Sequence, residues 1–323
     1  MPHCDRSTDA SVLRPLVRRP NEAPYDHREN PGNDYRNIYV PTSIDPRGGI
    51  DYWQMWSTVA AGTAMIGCMS AEQSIREFTR QAASFEAPGS HFADLGVLDW
   101  IAGYVAVHPG DRLLDVAGGT GQLGRHLGRS AELCVVADIT PAMLEQGAQT
   151  VRMEGRHDVV FVQADAMALP FPDAQFEVVV SRFALHHLTD IGPVLREMQR
   201  VCTPGGSVTV IDMVTETGSM GERMDELERL RDPSHVACPR SSRLRDLITG
   251  AGLRLVSEAT RDQRFLAEPW LDSAQPKPEA REAILEALRA EAAGGAPTGL
   301  RAAEADGALT ITYRDLLLHA SRG

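Results

Sequence analysis

Paired cysteines are absent. Cys4, Cys68, Cys134, Cys202 and Cys238 stand far apart with no C-x-x-C among them. That spacing excludes a disulfide framework and a zinc ribbon. Isolated thiols fit a reducing compartment, so a cytoplasmic location is expected. Lysine is nearly missing: Lys277 is the only one, and arginine carries the rest of the positive charge. This reads as G/C coding bias, not as a binding device. A membrane-spanning run of about 18 apolar residues is missing too. The nearest stretch, residues 52–68, is short and broken by Gln54. Its end, Met65-Ile66-Gly67-Cys68, resembles a lipoprotein cleavage box. It lies deep in the chain with no basic-then-apolar leader before it, so no lipid anchor and no membrane partner are expected. Net positive charge is lacking as well. Lys and Arg number 32 against 44 Asp and Glu, a formal charge of −12. A protein built to hold phosphate backbones needs a basic face, so nucleic acid is not an expected partner.

What remains is a globular composition. The 323 residues are 43% hydrophobic, enough for a sizeable core in one large domain or two modest ones. Residues 1–51 carry seven prolines and fifteen charged residues with no apolar period. They cannot bury enough surface to offset their ordering entropy. Residues 1–68 are therefore expected to be a disordered or loosely attached extension, and residues 69–323 a complete domain. Translation starting naturally at Met69 would account for this division, and the intact mass of the native protein decides it: a product retaining residues 1–68 excludes it.

From residue 69 the pattern alternates. Apolar residues at helical spacing (Ile75, Phe78, Ala82, Phe85) predict a helix over 75–85, and a second is expected over 95–105. Short apolar strands are predicted at 112–116, 133–137, 159–163, 176–181 and 207–212, with helices between them. The helix at 141–154 has Pro141 in its first turn, where a missing N–H costs nothing. The helix at 191–201 is stopped by Thr203-Pro204-Gly205-Gly206. The strand at 176–181 is almost wholly apolar, as a buried parallel strand should be. Such β-α-β-α alternation predicts an α/β fold with a mostly parallel sheet and helices on both faces. Later elements are a charged helix at 221–231, a helix at 243–250, a strand at 253–258, mostly helical chain over 265–293 and a last strand at 308–319. Residues 213–306 are read as including a mainly helical cap over the strand ends.

The strongest chemical signal is Leu113-Leu114-Asp115-Val116-Ala117-Gly118-Gly119-Thr120-Gly121, a strand running into a glycine-rich turn and then a helix. Glycines let a backbone approach a ligand closely, and a helix N-terminus offers unpaired N–H groups and positive potential. Dinucleotide and nucleoside binders share this device. The second strand ends in Asp138, at the distance where one carboxylate can hold a ribose diol, although a cap before Thr140-Pro141 explains it as well. The third strand ends in Asp165-Ala166, where a carboxylate and a backbone N–H can read an adenine edge. Asp115, Asp138 and Asp165 thus end three successive strands, where open α/β sheets bind ligands.

In these motifs the sequence resembles class I S-adenosylmethionine-dependent methyltransferases of type 11, in the broad group of the ubiquinone/menaquinone C-methyltransferases. The matching residues are Leu114 to Gly121, Val136 to Leu144, Ala164-Asp165-Ala166 with Leu169-Pro170-Phe171, Phe176 to Ser181, and Arg196-Glu197 through Val201 to Pro204-Gly205-Gly206. They cover roughly residues 78–212. Ala117 stands where many members have glycine. The resemblance implies a Rossmann-like sheet of seven strands with the last antiparallel, and S-adenosylmethionine as cofactor. It implies that the backbone around Ala117, Gly119, Thr120 and Gly121 cradles the methionine end, near Asp115. It also implies that Asp138 binds the ribose, that Ile139 and Met143 pack near the adenine, that Asp165 and Ala166 read its edge, and that Ser181 lies beneath the amino group.

The implied reaction is methyl transfer to an oxygen or carbon of a small organic acceptor. A sulfonium is already an activated leaving group, so alignment can supply ~7–11 kcal/mol of the barrier lowering. A base is required only by some acceptors. His186 and His187 follow the fourth strand and titrate near neutrality. In the family such a pair is common without acting as a base, so the catalytic group stays unassigned. Arg182 and Asp212 also end strands and read first as structural hydrogen-bonding groups. The charged helix and Arg240, Arg243 and Arg245 read first as solvated faces. No metal-ligand spacing is found, so no metal is expected. Ser181-Arg182-Phe183 lacks the Asn-Pro-Pro-aromatic pattern of adenine and glutamine N-methyltransferases. Two rivals are an NAD-dependent oxidoreductase and a non-catalytic S-adenosylmethionine-binding regulator. The first should show a longer G-x-G-x-x-G turn and a Tyr/Lys or comparable hydride-transfer pair, for which a chain with the single lysine Lys277 has little to offer. Labelled cofactor with candidate metabolites separates the second from an enzyme.

Overall fold

The computed structural model describes residues 38–39, 69–86, 94–215 and 218–323. In chain order the elements are β1 (Ile38–Tyr39), α1 (Met69–Phe85), α2 (Leu95–Ala102), β2 (Arg112–Val116), α3 (Gln122–Leu127), β3 (Leu133–Asp138), α4 (Pro141–Met153), β4 (Val159–Gln163) and β5 (Phe176–Arg182). They continue with α5 (Ile191–Val201), β6 (Cys202–Met213), α6 (Gly218–Arg231), α7 (Ser241–Gly250), β7 (Leu253–Leu266), α8 (Ala267–Ala274), α9 (Pro278–Ala292), β8 (Ala303–Ala305) and β9 (Ala308–Arg322).

The strands order as β1-β4-β3-β2-β5-β6-β9-β7, with β8 paired to β9. The pairs from β4 to β6 are parallel, while β9 runs antiparallel to both β6 and β7. The expected seven-stranded sheet with one antiparallel strand is therefore present, widened by β1 and β8. The order reverses between β2 and β5, which opens a crevice at the carboxyl ends of these strands.

Burial explains why the central strands read as apolar runs. β3 and β4 are buried at every residue. Alternate side chains leave the sheet on opposite faces. Leu114, Val135 and Val179 join Leu195 and Met198 of α5 and Ile248 of α7 in one core. Leu113, Val136 and Val180 join Ile101 of α2, Leu123 of α3 and Leu144 of α4 in the other. α7 thus belongs to the sheet's own helical layer, although the sequence places it within the cap region.

Several element boundaries depart from expectation, those of β6 and β7 most tellingly. Residues 203–206 lie inside the span of β6, where pairing with β5 shifts between Phe176 and Val178. β7 runs to Leu266, not 258, and pairs with β9 as far as Leu266 opposite Thr310. Residues 265–266 are therefore strand, not helix. In the extra stretch exposed residues alternate with half-buried ones and the buried Gln263. Its inward positions Ala259, Arg261 and Gln263 are small or polar, so no apolar alternation marks it before Phe265, which packs against the cap's core. The expected loose extension over residues 1–68 lies outside the described residues apart from Ile38–Tyr39, which pairs antiparallel with Val162 and Phe161.

The long β7–β9 ribbon carries the cap and gives it a third core. Met224, Trp270, Leu271, Ile284, Leu288 and Ile311 pack there. Trp270 donates from Nε1 to Tyr313 Oη at 2.7 Å, and Arg231 stacks over its ring at 4.7 Å. The charged helix α6 is part of this core, not a solvated face: Met224, Leu227, Glu228 and Arg231 are buried. Trp270→Ala is expected to destabilise the protein by about 3–5 kcal/mol, the usual loss for a truncated buried Trp. A urea unfolding curve checks it, and a change under about 1 kcal/mol would remove Trp270 from the cap's core.

Candidate active site

A cleft of about 200 Å³ opens at the carboxyl ends of β2 to β5. Of the residues expected to hold the cofactor, Asp115, Ala117, Gly119, Thr120, Asp138, Ile139, Met143, Asp165 and Ala166 line it. Gly121 and Ser181 do not line it. Gly121 caps α3 in the left-handed region at φ 76, and a Cβ there would meet Val136 Cγ2 at 2.7 Å. That close approach requires glycine at the turn. Ser181 is buried on β5 with its Oγ unpartnered.

The three strand-end carboxylates fix the loop. Asp115 is 1% exposed, and its Oδ2 accepts from the Gly124 N–H at 2.8 Å while Oδ1 has no partner. A Cβ on Gly118 would sit 2.7 Å from the Asp115 carboxyl carbon, so the turn can cross this acid only as bare backbone. Asp138 takes the Gly119 N–H at 2.9 Å and the Thr140 N–H at 2.8 Å. It ties the glycine turn to the start of α4, so the capping role and the cleft position coincide. Asp165 Oδ1 accepts from the Met167 N–H at 2.8 Å. Ala117 is held at φ 50, the region where glycine would be unstrained.

Burial makes Asp115 and Asp138 reluctant to ionise. It pushes Asp115 up to about 7, against the Gly124 hydrogen bond and the Arg182 charge, and it raises Asp138. On the far wall, burial likewise pushes Asp315 up to about 7, and its Oδ2 is unpartnered. Arg182 reaches the same space, donating to Gln122 Oε1 at 3.1 Å, and burial lowers it to about 10.

The acceptor side was only partly foreseen. His186 and His187 form a short 3-10 turn after β5. Asp212 holds that turn, taking the Leu185 and His186 N–H groups and the His186 Nδ1 at 2.6 Å. The structural role expected for Asp212 is met. Helix α1 supplies Phe78, whose ring meets His187 edge-on at 4.8 Å, and Gln81. Glu228, Arg231, Asp232 and His235 come from α6 and the chain after it. No spacing signal marked them, because their chemistry depends on how the cap folds back. Among the described residues, Asp225, His235 and Cys238 bring their donor atoms within 4.8 Å of one another. Asp225 Oδ1 there bonds His235 Nε2 and takes the Cys238 N–H, each at 2.8 Å. Burial, then the charge of Glu228, pushes the Cys238 thiol up, so the trio reads as a hydrogen-bonded clamp on the loop.

The comparisons agree with this geometry. A family model described as the ubiE/COQ5 methyltransferase family matches residues 98–224. The uncharacterized methyltransferase YcgJ of Bacillus subtilis (strain 168) is 34% identical over 144 residues, 44% of this chain and 56% of the relative. The ubiquinone/menaquinone biosynthesis C-methyltransferase UbiE of Shewanella frigidimarina (strain NCIMB 400) is 43% identical over 114 residues, 34% of this chain and 45% of the relative. The chain thus spans about half the length of the curated relatives it matches. The crystal structure of YcgJ from Bacillus subtilis superposes with a TM-score of 0.65 at 21% identity, covering 71% of this chain and 98% of that one. The [4+2]-cyclase SpnF shares the fold with a TM-score of 0.55 at 19% identity, covering 83% and 94%.

Two measurements check the site. Asp138→Ala should weaken S-adenosylmethionine binding by ~1–3 kcal/mol, the cost of lost charged hydrogen bonds, and calorimetry reads it. Unchanged affinity would remove Asp138 from the site. For Asp115 the folded pKa of about 7 lies above the ordinary carboxylate value of 3.8, so its neutral form favours folding and stability is lost as pH rises between those values. The loss should run at about 1.4 kcal/mol per pH unit relative to Asp115→Asn. Parallel unfolding midpoints for the two proteins across that range would refute it. Motifs, sheet order and cleft converge: over residues 98–224 the chain is similar to the ubiE/COQ5 methyltransferases, and its fold is that of a class I S-adenosylmethionine-dependent methyltransferase.

Proposed function

We propose that this protein transfers the methyl group of S-adenosylmethionine to an oxygen or carbon of a small organic acceptor in the cytoplasm. The observation that carries the proposal is a single cleft with two unlike halves. One half is bare backbone and buried acid; the other is aromatic and imidazole. The residues fit the cofactor. Asp115 Oδ1, Thr120 Oγ1 and Thr140 Oγ1 are buried, unpartnered acceptors around a glycine turn. Buried acids only partly balanced by charge, as Asp115 is by Arg182, are costly, and a cationic ligand offsets more of that cost. When bound, the cofactor supplies an electrophilic methyl on a sulfonium.

In this reading Gly119 and Thr120 hold the methionine end, Asp138 the ribose, and Asp165 with Ala166 the adenine, beside Ile139 and Met143. Gly121 and Ser181 act from behind the wall by shaping the turn. Residues 69–323 form the catalytic domain, and the cap within 213–306 selects the acceptor. Phe78, Phe265 and Tyr313 give the acceptor apolar walls and exclude water from it. Among the described residues no helix is long and apolar enough to cross a membrane. Cys134, Cys202 and Cys238 are free thiols, which supports the cytoplasmic placement.

The fold alone does not fix a reaction, as a [4+2]-cyclase shares it. The test is therefore direct. The full chain is incubated with methyl-labelled S-adenosylmethionine and a panel of phenols, enols and carboxylates. Label should move to an acceptor at oxygen or carbon. Saturable cofactor binding with no transfer to any class would favour a non-catalytic regulator.

A further inference from the structure

The acceptor half of the cleft contains a built proton relay. Ser234 donates its hydroxyl to Asp232 Oδ1 at 2.6 Å, and its N–H reaches the same oxygen at 2.9 Å. Gln81 Nε2 donates to the other oxygen, Asp232 Oδ2, at 3.3 Å. With its proton committed to Asp232, Ser234 Oγ has only lone pairs to offer His187 Nδ1, 3.0 Å away. Nδ1 must then carry the hydrogen, and the bare lone pair falls on Nε2. Phe78 on one side and the His186 ring at 4.0 Å on the other clamp the imidazole in the cleft wall.

The neighbouring histidine cannot do the same work. His186 has its Nδ1 bound to Asp212, which outweighs burial and raises it, favouring the charged ring. Burial first, and then that charge on His186, hold His187 well below the usual histidine range. His187 is therefore the neutral one of the pair at neutral pH. The other titratable groups around it are Asp232, His235, Glu228 and Arg231, all from the chain that folds over β5.

We propose that His187 is the general base of this site, fixed as the Nδ1-protonated tautomer by Ser234 and Asp232, for an acceptor that must lose a proton. The acceptor class is a weak acid: a phenol, an enol or a carbon flanked by carbonyls. As its X–H bond breaks, the electron pair stays on X and forms the new bond to the methyl carbon. The sulfur–methyl bond breaks with its pair left on sulfur. The proton goes to His187 Nε2, so the positive charge leaves the sulfonium and reappears on an imidazolium that faces Ser234 and Asp232. The inference rests on the methyl-transfer reading. Ser234 and Asp232 are positioning residues, since they act through His187.

The test needs no acceptor. Full-length protein labelled with 15N-histidine is assigned with His187→Gln, and the ring nitrogens are observed with saturating S-adenosylmethionine. At neutral pH His187 should show a pyrrole-type Nδ1 and a pyridine-type Nε2, and should titrate below an ordinary histidine. Ser234→Ala should shift it towards a mixture of tautomers with calorimetric cofactor affinity unchanged. An Nε2–H tautomer or a protonated ring in the wild type overturns the proposal, and so does a Ser234→Ala spectrum identical to wild type. Failure of the wild-type protein to bind S-adenosylmethionine would instead overturn the methyl-transfer reading, so the two failures are distinguishable. The wild-type spectrum decides even if the variant does not fold.

Discussion

Buried carboxylate that the Arg182 charge and a few N–H groups only partly balance is the constraint around which this molecule is arranged. Asp115 and Asp138 end adjacent parallel strands under the glycine turn, and Asp315 faces them from β9. Each loses hydration that its few protein hydrogen bonds only partly replace. Such an arrangement persists where the surrounding sheet imposes it and a ligand completes it. The sheet does impose it: β2, β3 and β4 are paired in register from Cys134 opposite Val159 to Asp138 opposite Gln163. The acids at their ends therefore have fixed positions.

The same sheet explains why chemistry and stability are separated in the chain. The two central cores lie on either face of the sheet and contain no group the reaction uses. The cleft sits at the strand ends, where loops can change without disturbing those cores. The cap carries its own apolar core and joins the sheet through the β7–β9 ribbon and through α1. Arg80 of α1 donates to the Ala274 carbonyl of α8 at 2.8 Å, and Gln122 of α3 donates to the Phe85 carbonyl of α1 at 2.7 Å. These contacts place α1 between the cofactor half and the acceptor half. Phe78 and Gln81 reach the cleft for that reason.

Legibility followed periodicity. The spans of β2, β4 and α5 were read at their observed ends, since each begins or ends at a sharp change in pattern. The glycine turn and its three acids were legible because strand, turn and helix follow one another within a few residues. The extension of β7 to Leu266 was not, since residues 260–264 are polar on both sides and break the apolar alternation. Burial of Glu228 and Arg231 on α6 was also hidden. A charged helix reads as solvated unless its partners are known, and here they are Tyr313 and Trp270 from distant strands and helices.

Sequence by itself determined the parallel sheet, the chain order of its elements and a glycine turn flanked by strand-end acids, while the choice of cofactor came from the family resemblance. Sheet, order and turn follow from local pattern, because a strand, its turn and its following helix are contiguous. Tertiary structure alone decided what gathers around His187 on the other side of the cleft. His187, Ser234 and Gln81 come from three separate segments, and each is an ordinary surface-type residue until the cap closes over β5. What turns an imidazole into a neutral base is loss of water and a committed neighbour, and both are properties of packing.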